Sequence, residues 1–343
     1  MIAFSIVLWL IFLLGRIIHR REGGLAAELL EVAGMQWMGS LFLFAVPLLI
    51  ADLISGFGFL LSRAVVLRIR MIALACGVFL TLIAHVQGLR PPAVEQYETA
   101  VSGLPADLDG TTIAVLSDLH IGEMLLDAAW LNARVQQVQA LKPDCIVLVG
   151  DLFERSSDSE ALPPVLRQLS APLGVFAVRG NHDTVRPGRP DHAGTILAAS
   201  GIRLLSNEWT KLADGLVLAG IDDLTSSRRR GGNGQDNLTR ALTDRPAGAT
   251  VLLSHTPWLV EQAAVSGVSL MLSGHTHNGQ IWPFNSLVRT LYPFLGGQYT
   301  IEDMNLFVCR GTGTWGPRMR LWQRGEIALI RLHSRNYVAP VRR

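Results

Sequence analysis

The chain is poor in cysteine, lysine and net charge. Cys76, Cys145 and Cys309 are its only cysteines and lie far apart. No two of them have the spacing of a zinc finger or a disulfide framework, so they are expected to be buried or membrane-embedded thiols, and cysteine usage does not decide the compartment. Lys142 and Lys211 are the only lysines, and every other base is Arg. Charged residues make up 17% and the net charge is +2, too mild a balance to point to nucleic acid. There is no glycine-rich nucleotide loop, no nucleophilic serine elbow and no internal repeat. Those absences argue against phosphate-cradling nucleotide enzymes, serine hydrolases and solenoids.

Apolar residues are abundant, at 49% with a mean hydropathy of +0.32. The excess is concentrated before residue 90. Residues 1–18 are almost wholly apolar and are followed by His19-Arg20-Arg21. A cleavable signal would carry its basic residues before the apolar run, so this run is expected to be an uncleaved anchor. Further apolar runs cover 35–61 and 71–86. A spanning helix needs about 20 apolar residues. The sequence therefore predicts an N-terminal transmembrane region over 1–90, a bundle of about three helices with two as the fallback. Arg16, Arg20 and Arg21 flank one side of the second run and Arg63, Arg68 and Arg70 the other, so the basic residues nearly cancel and leave the orientation open. Asp52 is the lone acid inside that run and is expected near a helix end facing water. Residues 91–110 are expected to form a polar, turn-rich linker, and 111–343 the catalytic domain.

In that domain five short polar clusters each follow an apolar, β-rich run. The clusters are Asp118-Leu119-His120, Gly150-Asp151, Gly180-Asn181-His182-Asp183, Ser254-His255 and Gly274-His275-Thr276-His277. The runs are 112–117, 145–149, 175–179, 250–253 and 270–273. Strand followed by polar turn, repeated, predicts an α/β fold with all five clusters at the carboxyl ends of strands, where such folds build their sites. The Asp, His and Asn donors suit hard or borderline divalent ions. Asp118 and His120 stand two apart, as do His275 and His277, and strand geometry would aim each pair to one side. Seven ligands are too many for one tetrahedral ion and suit two ions sharing a bridge. Two such metals clamp the attacking and leaving oxygens of an in-line displacement and lower the pKa of a bridging water, which points to transfer of a phosphoryl group to water.

The ordered set D-x-H, G-D, G-N-H-D, H and G-H-T-H resembles the calcineurin-like metallophosphoesterase superfamily, over roughly residues 110–335. Finer matches, Gly274 to Gln280, Arg310-Gly311-Thr312-Gly313 and Gly316 to Leu321, resemble a bacterial branch that is membrane-anchored or exported. The resemblance implies two packed mixed β-sheets flanked by helices, a calcineurin-like αβ sandwich behind the transmembrane helices. It implies that Asp118, His120 and His277 bind one metal, that Asn181, His255 and His275 bind the other, and that Asp151 bridges them. His182 would be the general acid, with Asp183 orienting it. Mn²⁺ is the first expectation for the two cations, with Zn²⁺ or Fe²⁺ as alternatives.

The resulting expectation is a membrane-anchored phosphohydrolase acting on a phosphoester, in first place a phosphodiesterase on a lipid-linked or headgroup substrate. The alternatives are a pyrophosphatase or phosphomonoesterase on the same site, and a non-catalytic membrane scaffold or sensor. Membrane lipids are expected partners and nucleic acid is not; the sequence leaves the oligomeric state open. The expected location is a bacterial cell membrane, with the domain leaning to the extracytoplasmic face. Arg318 and Arg320, near a glycine-rich segment, are candidate contacts for a substrate phosphate because Arg suits bidentate phosphate recognition. Glu154, three residues after Asp151, is expected beside the site without being a ligand. Ser226 to Gly234 is a basic loop expected to be solvated.

Overall fold

In the computed structural model the described residues are 10–15, 17–18, 24–122, 126–154, 160–185, 188, 190–229 and 231–334. They form two compact units. One holds the N-terminal helices with residues 280–282 and 314–324; the other holds 92–279, 283–313 and the segment from 325 onwards.

Two long helices dominate the first unit, α1 (Leu25–Ile54) and α2 (Arg63–Leu89). Both are long and apolar enough to cross a membrane. The bounds differ from the expected runs for local reasons. The segment before residue 35 is rich in Leu, Ala and Glu, strong helix formers that extend α1 towards the N-terminus. Gly56 and Gly58 sit at φ 56° and 90°, so the end of the second apolar run makes the turn between the helices. Much of the first expected helix, 1–18, lies outside the described residues; 10–15 are helical. The expected count of three spanning helices is therefore not established. Asp52 lies in the last turn of α1, where its Oδ1 accepts from Arg70 Nε at 2.8 Å, with Arg70 Nη2 at 2.7 Å. A charge in an apolar segment is costly unless paired, and α2 supplies the partner.

The second unit is a sandwich of two six-stranded sheets. The first contains β1 (Ala93–Ala100), β2 (Thr112–Leu116), β3 (Cys145–Val149), β4 (Val175–Val178), β5 (Arg203–Leu204) and β12 (Glu326–His333), in the order β1-β12-β2-β3-β4-β5. The second contains β6 (Glu208–Ala213), β7 (Leu216–Gly220), β8 (Ala249–Leu253), β9 (Leu270–Ser273), β10 (Gly297–Ile301) and β11 (Met304–Val308), in the order β10-β11-β9-β8-β7-β6. The central runs β2-β3-β4-β5 and β11-β9-β8-β7 are parallel. Antiparallel pairs occur at β12–β2, β10–β11 and β6–β7.

The central strands are apolar on both faces, as parallel strands covered on two sides must be. Ile113, Val115, Val147, Val149 and Val178 point between the sheets and meet Leu218, Val251, Leu253, Leu272 and Phe307. Their alternates, Ala114, Leu116, Ile146 and Leu148, pack beneath helices whose Leu131, Val135 and Ile196 complete the outer layer. A similar layer covers the second sheet through Leu238 and Val260. The span expected to be a polar linker instead carries β1, paired in parallel with β12. β1 is an edge strand, so Glu95, Gln96 and Glu98 can face water, which hides the strand from a hydrophobicity reading.

Phe307 fills the space between the sheets. Phe307→Ala should destabilise the sandwich by about 3–5 kcal/mol, the usual cost of truncating a buried Phe. Denaturant unfolding of the full chain checks this, and an unchanged midpoint would contradict the packing described.

Candidate metal centre

The five turns converge at the carboxyl ends of β2, β3, β4, β8 and β9. Asp118, His120, Asp151, His275 and His277 all have left-handed backbone conformations, with φ of 55°, 47°, 51°, 73° and 48°. Such residues cost on the order of 1–3 kcal/mol each and persist where the surroundings over-determine them. The paired side chains therefore face together because of turn geometry beyond the strand, not because of the strand pleat that the sequence suggested. Gly150 makes the close packing possible. Its φ is 76°, and a Cβ there would meet His255 Nδ1 at 2.5 Å.

Two groups of donors result. In one, His277 Nε2 is 3.3 Å from Asp118 Oδ1 and 3.3 Å from His120 Nε2. In the other, His255 Nε2 is 3.2 Å from Asp151 Oδ2 and 3.3 Å from His275 Nδ1. Asp151 Oδ2 is also 3.9 Å from His120 Nε2, so one carboxylate reaches both groups. Within each group the donor atoms lie within 4.8 Å of one another, and His182 forms a third such group with His120 and Asp151. Asn181 Oδ1 is buried without a hydrogen-bond partner among the described residues.

The far sides of the rings explain why the near sides converge. His255 Nδ1 donates to the Val149 carbonyl at 2.8 Å. His275 Nε2 lies 2.8 Å from the Tyr292 hydroxyl, and His120 Nδ1 lies 2.8 Å from Glu154 Oε1. An imidazole whose outer nitrogen gives its proton to an oxygen presents a lone pair on the inner nitrogen, the arrangement metal-ligating histidines use. Three inner lone pairs, the Asp151 and Asp118 carboxylates and an orphaned amide oxygen fit divalent cations. These contacts bring together all seven residues expected as ligands except Asn181, whose fit rests on its unpaired oxygen.

Two expectations need correction. Asp183 does not orient His182. Its carboxylate accepts backbone N–H bonds from Leu152 and Phe153 at 3.1 Å and from Gly180 at 2.9 Å, tying the β3 turn to the β4 turn. The group against His182 is Glu154, whose Oε1 lies 2.6 Å from His182 Nδ1. Arg318 and Arg320 belong to the segment that groups with the helices. Arg320 is only 1% exposed, and its backbone N–H donates to the Ala84 carbonyl at 2.9 Å. Burial withholds its guanidinium from a dissolved phosphate.

Electrostatics follow from crowding these groups. Burial alone would raise Asp151, but His255 and then His182 and His120 hold it well below the usual carboxylate range. Burial also works against Glu154, yet its bonds to His120 and His182 bring it down to about 2. For His182 burial pulls downwards, and the Glu154 bond and the Asp151 charge more than offset it, so its pKa is raised. Asp183 is pushed up to about 6 by burial and the Asp151 charge. His275 falls to about 4 through burial and the His255 charge.

Sequence reasoning missed Asp223 and Tyr292, and gave Glu154 too small a part. Asp223 accepts from Thr256 Oγ1 at 2.8 Å, beside His255. It follows β7 as the other clusters follow their strands, a signal that was available. Tyr292 has no such signal, because only the fold carries it to His275. It stacks on Trp258, which carries the Arg228 guanidinium 3.8 Å above its ring.

His255 supplies a pH prediction. Burial disfavours its charged form, but Asp151 and the neighbouring acids hold its pKa up to about 10 without a cation. A cation must displace that proton, so uptake releases it, and apparent affinity rises with pH by up to about tenfold per unit below that value. Calorimetric titration with Mn²⁺ in buffers of different ionisation enthalpy measures the release. A pH-independent affinity without proton release would contradict the assignment of His255.

The family model for calcineurin-like phosphoesterases matches residues 111–279. A zebrafish (Danio rerio) transmembrane protein with metallophosphoesterase domain is 34% identical over 277 residues, covering 77% of this chain and 62% of its own length. This chain thus spans less than two thirds of that relative and of its cattle counterpart. An uncharacterized metallophosphoesterase of Helicobacter pylori is 31% identical over 274 residues, covering 77% of this chain and 71% of the relative. Among solved structures, a dimetal phosphatase from Danio rerio aligns at a TM-score of 0.37 and 17% identity, over 60% of this chain and 88% of that one. The matched span holds all five of the converging polar turns, and the chain belongs to the calcineurin-like phosphoesterase family.

Proposed function

We propose that this chain is a membrane-anchored phosphodiesterase that holds two divalent cations and acts on lipid-linked or headgroup phosphoesters. The observation that carries the reading is the convergence of inner imidazole nitrogens on Asp151 while their outer nitrogens are tied to oxygen. Asp118, His120 and His277 would hold one cation, Asn181, His255 and His275 the other, and Asp151 both. Mn²⁺ suits this mixed oxygen and nitrogen set, with Zn²⁺ or Fe²⁺ as substitutes. When bound, such a pair supplies charge neutralisation at the phosphoryl oxygens and acidifies the attacking water.

The chain's own proton chemistry centres on His182. Its side chain is partly exposed, unlike the buried His255 and His120. Glu154 holds Nδ1 and favours the protonated ring, leaving Nε2 to give a proton to the leaving oxygen. A donor of this kind matters most for a poor alkoxide leaving group, which favours a diester. The Asp183 bonds keep the turns in register beneath it. The lipid-linked substrate is inferred from α1 and α2, which are built to cross a bilayer. The motifs that resemble exported relatives favour the extracytoplasmic face of a bacterial cell membrane.

The test uses the full chain in detergent. Chelation should abolish diester hydrolysis and Mn²⁺ should restore it; active protein with well under one divalent ion per chain would refute the two-cation reading. His182→Ala should lose about 10²- to 10⁴-fold on an alkyl phosphodiester, the range a positioned acid contributes, and much less on a nitrophenyl diester, with its metal content intact. Glu154→Gln should show the same contrast more mildly, whereas Asp183→Asn should lower stability and act equally on both substrates. Equal losses on both substrates for His182→Ala, or loss of metal, would make His182 a ligand rather than the acid.

A further inference from the structure

The segments 280–282 and 314–324 group with the helices. They are stitched together and then to α2. Gln280 Nε2 donates to the Trp315 and Pro317 carbonyls at 3.0 Å, and its Oε1 accepts from Trp315 N–H at 3.1 Å. Leu321 N–H donates to the Gln280 carbonyl at 3.1 Å, and Arg320 N–H to Ala84 at 2.9 Å. Met319, Leu321 and Ile281 are buried with Leu43 of α1 and Ala84 of α2. The attachment falls within the last two turns of α2, which ends at Leu89.

Having buried those residues, the same segments expose their largest ones. Trp282, Trp315 and Trp322 are 41%, 50% and 54% exposed. Trp282 and Trp322 lie with ring centroids 6.4 Å apart. Trp322 is held at φ 73°, a conformation rare for a bulky residue, so the fold accepts strain to present it. Beside the attachment, α2 continues the apolar surface through exposed Leu82, Val86 and Leu89. Arg90 caps the helix, and Arg324 follows the last tryptophan with its guanidinium on the Pro91 carbonyl.

We propose that Trp282, Trp315 and Trp322 form a lipid-inserting collar at the headgroup–acyl boundary around the end of α2. Tryptophan is the residue that settles at this depth, its ring in the apolar layer and its N–H in the headgroups. The occupant is lipid because the loops that carry the three rings pack on the end of a helix long and apolar enough to cross a bilayer, and because Arg90 and Arg324 in the same unit complement anionic headgroups. The proposal rests on the membrane-anchored reading above and adds a second mode of attachment, through loops that in the chain follow His277 and Gly313.

The full chain, reconstituted in phosphatidylcholine–phosphatidylglycerol nanodiscs, provides the test. Each of Trp282→Phe, Trp315→Phe and Trp322→Phe gives a difference spectrum that isolates one of the eight tryptophans, and Trp37→Phe does so for a residue inside α1. The three collar components should be lost when the lipids are brominated just below the headgroups, should survive bromination at the chain ends, and should be shielded from aqueous iodide. Components quenched by iodide and untouched by brominated lipid, while Trp37 still responds to the lipid, would overturn the collar and leave the anchor standing. If Trp37 also ignored the lipid, the anchor and the collar would both fall. Hydrolysis of a nitrophenyl diester should stay at the wild-type rate in all three collar variants, which shows that the metal centre is intact.

Discussion

Asp151 is a carboxylate almost fully withdrawn from water. Such a charge is costly unless opposing charge and hydrogen bonds surround it. The backbone N–H of His182 reaches one of its oxygens at 2.9 Å, and the ring of His255 reaches the other at 3.2 Å. His120 and His182 add to the field. Every turn of the centre is arranged with respect to this group. The β3 turn supplies it, the β4 turn donates to it, and the β8 turn sets its imidazole against it. A cation on either side would take over the neutralising work that the protonated His255 performs without one.

Holding so much charge in place is the task of the sandwich. The parallel strands are apolar on both faces and are gripped between the facing sheet and the outer helices. That fixes five strand ends in space. The left-handed residues beyond those ends are then imposed by packing, since their local preference is against them. Asp183 contributes to the same end. Its carboxylate is spent on three backbone N–H groups, so that the Asn181–His182 turn stays beside the Asp151 turn. Glu154 is separate from these bonds and touches both His182 and His120. One carboxylate thus holds both rings.

The helical unit obeys a different solvent. Its exposed surface is apolar along α1 and α2, and Asp52 in the last turn of α1 is matched by Arg70. The loops packed on it bury their aliphatic residues and show their tryptophans. In water this would be an aggregation hazard. At a bilayer it is the expected surface, apolar along the helices and aromatic where they end.

The sequence by itself determined the central strands and the polar turns at their ends. The runs ending at Ser117, Val149, Arg179, Leu253 and Ser273 announce buried strands because they are apolar on both faces, and the polar clusters behind them announce the groups that converge. It also determined that two segments before residue 90 are apolar enough to leave water. Tertiary structure alone decided the rest. Strand β1 was hidden because an edge strand can be polar. The partner of His182 could not be read off because Glu154 and the adjacent Asp183 are equally plausible in sequence, and only the turn geometry sends one to the ring and the other to the backbone. Tyr292 reaches His275 through a chain path that no local pattern encodes. Arg320 looked like a phosphate contact until packing buried it. Residue type and spacing fix which chemistry is available, because they act locally; which groups actually touch depends on contacts between residues far apart in the chain, and only the folded packing sets those.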